Sequence, residues 1–130
     1  MRYEQDYIMR MIKEMTEVLA RIIFHRKTPF YELAMENKYR SGEDFYLKLC
    51  KLADEGKINE AENLLYEKLD RKEQDYLELA LAFYYYINLY TNDFLENHGY
   101  SRTEIEEGIE TVLKEFGMEG MMEVAKLEIK

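Results

Sequence analysis

Over most of this chain apolar side chains recur every third or fourth position, the period of α-helices laid against a core. From residue 3 to 26, Tyr7, Ile8, Met11, Ile12, Met15, Leu19, Ile22 and Ile23 form one such stripe. Arg10, Lys13, Glu14, Glu17 and Arg21 fall mostly on the other side, and Glu17 precedes Arg21 in the favourable i,i+4 order. Pro29 disfavours helical geometry at Thr28, so this helix ends before it. A short helix over residues 30–35 follows, with Pro29 at its first position, and Ser41 or Gly42 then breaks the chain. The next helix runs from Glu43 to Glu55 with Phe45, Tyr46, Leu49, Cys50, Leu52 and Ala53 inward, and Gly56 closes it as a left-handed cap. Asn59 and Glu62 then have capping spacing, and Ala61, Leu64, Leu65 and Leu69 line the helix that follows.

The stretch from Tyr76 to Tyr90 breaks this amphipathic rhythm, because only Glu78 and Asn88 in it are plainly polar. A helix apolar on all sides is one enclosed by other helices. The run is too short to span a bilayer, which needs about 20 apolar residues. A buried central helix is therefore expected over residues 72–90. Beyond it lies a connector with a helical turn begun by Asn92 and ended by Gly99. Ser101 and Glu104 form a capping box for a helix over residues 103–116 that packs Ile105, Ile109, Val112, Leu113 and Phe116. Residues 121–129 make a last short helix. The sum is an all-α bundle of five or six helices in one domain, 1–130.

Composition agrees. Strand signals are missing, and one proline with six glycines leaves little room for long irregular stretches. The net charge of −9 repels phosphate backbones and argues against nucleic acid as a partner. Residues 1–27 carry six basic and four acidic side chains, so the remainder holds −11. That basic segment could touch anionic membrane, but Glu14 and Glu17 on its polar face argue against it. No continuous apolar run marks a secretory signal at the N-terminus, and a lone cysteine fits a reducing compartment, so a cytoplasmic location is expected.

One segment resembles a known family. Phe45 to Asp70, above all Leu52-Ala-Asp-Glu-Gly-Lys-Ile-Asn-Glu-Ala-Glu-Asn-Leu-Leu-Tyr-Glu-Lys-Leu69, is similar to a single tetratricopeptide unit. Gly56 matches the turn glycine, Ala61 the small residue where paired helices cross, and Leu65 the large apolar position beyond. The whole chain also resembles small bacterial helical proteins of unknown function that share this turn. The first resemblance implies a helical hairpin that binds protein; the second implies no activity.

Chemistry is thinly provided. Zinc sites use three or four ligands at local spacings, and His25, His98 and Cys50 form no such pattern. Glu106 with Glu110 and Glu119 with Glu123 lie one turn apart, yet lack the histidines a di-iron bundle requires, so they read as solvated faces. Cys50 on an apolar face is an inert thiol. No nucleophile elbow, phosphate loop or dinucleotide fingerprint occurs. Neither catalysis nor a cofactor or metal is expected.

Twelve tyrosines are the surplus. Consecutive helical positions are about 100° apart, so Tyr84, Tyr85, Tyr86 and Tyr90 cannot all point one way. Burial tendencies favour tyrosines that fill a core while each hydroxyl reaches water or a carbonyl. If some line a groove instead, Tyr84, Tyr85, Tyr86, Asn88 and Tyr90 are the residues that would receive a partner. The resulting expectation is a non-enzymatic protein-interaction module taking a peptide or partner helix. The alternatives are a homodimer packed through Tyr7, Met11, Met15 and Ile22 of the first helix, and a small-molecule-binding helical sensor.

Overall fold

The structure is a computed structural model that describes residues 2–25, 41–68 and 74–129. Among these residues the chain is all-helical. The elements are α1 (Arg2–Phe24), α2 (Ser41–Asp54), α3 (Ile58–Lys68), α4 (Gln74–Ile87), α5 (Asn92–Asn97), α6 (Arg102–Glu115) and α7 (Met121–Glu128). The expected helix over 30–35, the inward Leu69 and the start of the central helix at 72 lie outside the described residues.

The apolar run becomes α4, and it packs against α1, α2 and α6 at once. Leu77, Ala80, Leu81, Ala82, Phe83, Tyr84 and Ile87 are buried on every side of it. Fully burying a large apolar side chain contributes about 1.5–3 kcal/mol, so this enclosure supplies much of the core. α1 offers Ile12, Met15, Val18, Leu19 and Ala20 to the core while Tyr7 is 65 % exposed. Ile105, Ile109, Val112 and Leu113 do the same from α6. α7 lies back against α1 and α6, where Met122 and Ala125 are buried.

α2 and α3 form a helical hairpin. The turn is a Schellman motif: the Gly56 N–H donates to the Ala53 carbonyl and the Lys57 N–H to the Leu52 carbonyl, both at 2.9 Å. Gly56 has φ +87°, and the His98 ring stands where a Cβ would be, so both backbone and space demand glycine. Ala61 and Leu65 are fully buried.

Several boundaries differ from expectation. Helix α2 already includes Ser41 and Gly42, so the chain does not break there. Asn59 is no N-cap, because the Ala61 N–H donates to the Lys57 carbonyl and α3 begins at Ile58. The side chain of Asn59 instead donates to the Gly99 carbonyl at 3.4 Å. Thr91 caps α5, accepting from the Phe94 N–H, where Asn92 was expected. Ser101 caps α6 as its spacing predicts, accepting from the Glu104 N–H at 3.2 Å. The central helix stops at Ile87 rather than Tyr90, closing in tighter i→i+3 bonds at Leu89 and Tyr90.

Candidate functional site

The three consecutive tyrosines of α4 point in three directions, and each hydroxyl donates to a carboxylate on a different helix. Tyr84 donates to Glu62 of α3 at 2.6 Å. Tyr85 donates to Glu17 of α1 at 2.8 Å, and the Lys13 ammonium stands 3.0 Å from the same oxygen. Tyr86 donates to Asp54, the last residue of α2, at 2.9 Å. A 100° step per residue thus becomes three ties from one turn of α4 to three neighbours. A phenol donating to a carboxylate is a charge-assisted bond, stronger than one between neutral groups.

Two of these carboxylates collect a second tyrosine. Glu62 Oε2 also accepts from Tyr100 at 2.9 Å. The Tyr66 hydroxyl stands 3.1 Å from that of Tyr84 and 3.4 Å from the Gly108 carbonyl, which completes an inner cluster. Gly108 is indispensable to it: a Cβ there would come within 2.4 Å of the Tyr84 ring. Burial, reinforced by the Glu62 charge, pushes the Tyr84 and Tyr100 phenols far above their ordinary value.

The outer cluster is built on Asp54, which is exposed. Its Oδ1 accepts from both Tyr86 and Tyr90. Partial burial and the Asp54 bond push Tyr86 up to about 12. From here rings at four-residue spacing continue as a ladder. Tyr86 meets Tyr90 edge-on with centroids 5.8 Å apart, Tyr90 meets Phe94 at 4.4 Å, and Phe94 meets His98 at 4.4 Å. The ladder crosses from the end of α4 onto α5 and finishes over Gly56, with His98 Nδ1 held 2.7 Å from the Phe94 carbonyl. Tyr86, Tyr90 and Phe94 are half-buried and His98 is exposed.

Of the five residues expected to receive a partner, Tyr84, Tyr85 and Asn88 therefore point inward, and only Tyr86 and Tyr90 reach the surface. Asn88 is 1 % exposed and works as a joint. Its Nδ2 donates to the Met9 carbonyl at 2.9 Å, and its Oδ1 accepts from Arg102 at 3.2 Å. Arg102, 1 % exposed, donates to the Asn88 and Tyr90 carbonyls at 2.6 Å each and to Asn92 Oδ1. A cation at the carbonyl end of α4 complements its dipole. Burial lowers the guanidinium's affinity for its proton, and the charge of Asp6 works against that shift. Arg102 and Gly108 are absent from the site expected from sequence, and Glu62 enters there only at a capping spacing after Asn59. The signals were present: a cation in the first turn of its own helix opposes that helix's dipole, and a glycine inside a strong helix former is costly.

Of the expected dimer face, Met15 is fully buried in the chain's own core and Met11 half-buried, whereas Tyr7 and Ile22 are exposed. Cys50 is buried, which pushes its thiol up to about 12. Glu110, Lys114, Glu119 and Glu123 rim a shallow groove of about 380 Å³ between α6 and α7. Among the described residues no three His, Cys, Asp or Glu side chains stand close enough to hold a metal ion, and no helix is long and apolar enough to cross a membrane.

Fold and site together define an acidic helical bundle whose central helix is tied by tyrosine–carboxylate bonds. The chain belongs to a protein family of unknown function, DUF6483, whose family model matches residues 2–117. Comparison with curated proteins and with solved structures gives no match.

Proposed function

We propose that this chain is a non-enzymatic, cytoplasmic protein-interaction module that receives a peptide or partner helix along the Tyr86–Tyr90–Phe94–His98 ladder. The observation that carries the reading is the half-burial of Tyr86, Tyr90 and Phe94. Their rings follow one another from the end of α4 across α5, while Tyr84 and Tyr85, two and one residues before Tyr86, are enclosed. Aromatic anchors of this kind dominate protein interfaces because they join large apolar area to a polar tip. The α2–α3 hairpin, with its Gly56 turn and buried Ala61, supports reading it as a tetratricopeptide-like unit that presents the ladder. The test is a photo-crosslinking side chain placed at position 90 in cell extract. It should give one discrete protein adduct, lost when Phe94→Ala or Tyr86→Ala is added. A smear no different from a crosslinker at position 127 would refute the module.

A second reading has its own support. Tyr7 and Ile22 on α1, and Val124 and Leu127 on the adjoining α7, are all exposed apolar residues, which suits a homodimer through that side. Light scattering decides it, because a strict monomer of 15.8 kDa removes the dimer.

A further inference from the structure

We propose that the partner group seated on the ladder is an arginine side chain, its guanidinium stacked over the rings of Tyr86, Tyr90 and Phe94 with one edge toward Asp54. This deepens the interaction-module reading and rests on it. The side chain of Asp54 accepts hydrogen bonds from the phenols of Tyr86 and Tyr90. Its Oδ1 is occupied by both tyrosines and its Oδ2 lies 3.1 Å from Tyr86, which leaves acceptor capacity on an exposed carboxylate.

The surroundings favour a cation. Asp54 is the last residue of α2 and Glu55 follows it, so two anions stand at the carbonyl end of a helix, where the backbone dipole already favours positive charge. For the helix alone this placement is unfavourable. A cation arriving from outside gains from both carboxylate and dipole. Lys51 in the last turn of α2 and Lys57, 3.8 Å from Glu55, offset part of that field. The chain as a whole carries −9, so approach of a basic segment is steered.

The rings decide between the two basic side chains. A planar, weakly hydrated guanidinium stacks on aromatic rings and meets a carboxylate with paired donors, whereas an ammonium is a compact, strongly hydrated point charge. Tyr86 and Tyr90 donate their protons to Asp54, which enriches their rings in electrons and strengthens attraction for a cation. Half-buried rings beside a charge also suit an amphipathic stem.

The test is aromatic-resolved NMR with the full chain, titrated with arginine–glycine, lysine–glycine and glutamate–glycine octapeptides of equal length. The arginine peptide should move the ring resonances of Tyr86, Tyr90 and Phe94 while those of Tyr84 and Tyr100 stay put. The lysine peptide should bind about threefold more weakly and the glutamate peptide not at all. Asp54→Asn should weaken the arginine peptide about fivefold, and Glu110→Gln should not. Phe94→Leu, which keeps the carboxylate, should remove the preference for arginine over lysine and stands in if Asp54→Asn does not fold. Equal binding of both basic peptides, with shifts spread over the acidic surface, overturns the proposal. So does silence of the ladder resonances, or a ladder found covered by a second copy of the chain. The two readings fail separately: if the position-90 adduct persists in Asp54→Asn, the module stands without arginine selectivity, and if neither adduct nor peptide binding is found, both fall.

Discussion

Glu62 and Asp54 carry the same chemistry in opposite settings. Each carboxylate accepts protons from two tyrosines, one supplied by α4 and the other by the chain beyond α3 or at the end of α4. The Glu62 cluster is closed over by Gly108 and by the buried Tyr84 and Tyr100, whereas the Asp54 cluster is exposed at its carboxylate and continues into half-buried rings. The lesson is that burial, not bond type, decides what such a cluster does. An enclosed phenol–carboxylate bond fastens helices together, because losing either partner strands the other away from water. An exposed one contributes little to folding and leaves its surface free to bind.

Alkali separates the two most sharply. An unfolded tyrosine ionises near pH 10, and the Tyr84 and Tyr100 phenols are held well above that in the fold. A group whose native value is raised contributes stability that is complete below the unfolded value and lost as pH climbs through the native one. Above pH 10 each of these two buried phenols should cost about 1.4 kcal/mol per pH unit, so about 5.5 kcal/mol is gone by pH 12. Absorbance of phenolate should then rise together with loss of helical circular dichroism. Smooth ionisation of every tyrosine near pH 10 in a still-helical protein would contradict the enclosed cluster.

Glu62→Ala should cost about 3 kcal/mol in chemical denaturation, since two buried hydroxyls lose their acceptor together. Gly108→Ala should cost about 2 kcal/mol, because the new methyl must displace the Tyr84 ring. Tyr84→Phe, which removes one donor and leaves Tyr100 on Glu62, should cost about 1.5 kcal/mol. Tyr86→Phe should change stability by less than about 0.5 kcal/mol while still disturbing the docking surface. A Tyr86→Phe loss as large as that of Tyr84→Phe would erase the distinction between inner and outer clusters.

The architecture was legible in the sequence where periodicity was strong. The enclosed run at 77–87, the stripe of α1 from Ile12 to Leu19 and the Ser101 cap all follow from spacing alone. The candidate site was legible only in part. Helical geometry shows that Tyr84, Tyr85 and Tyr86 diverge, but it does not say which neighbour each one meets. That depends on Glu17, Asp54 and Glu62, which are distant in sequence and resemble ordinary surface acids until the helices pack. Asn59 illustrates a local signal overridden by a turn, since after the Schellman closure at Gly56 the Lys57 carbonyl accepts the first bond of a helix that begins at Ile58. The end of α4 is sealed by a residue far along the chain, Arg102, which lies beyond the connector.

That arginine sets a rule for the connector. Its guanidinium reaches back over twelve to fourteen positions to seal the open end of α4, so the span from Thr91 to Ser101 acts as a strap of set length. Changes of residue type along the strap's outer side are tolerable, but an inserted or deleted residue pulls the seal out of place and frays both helices together.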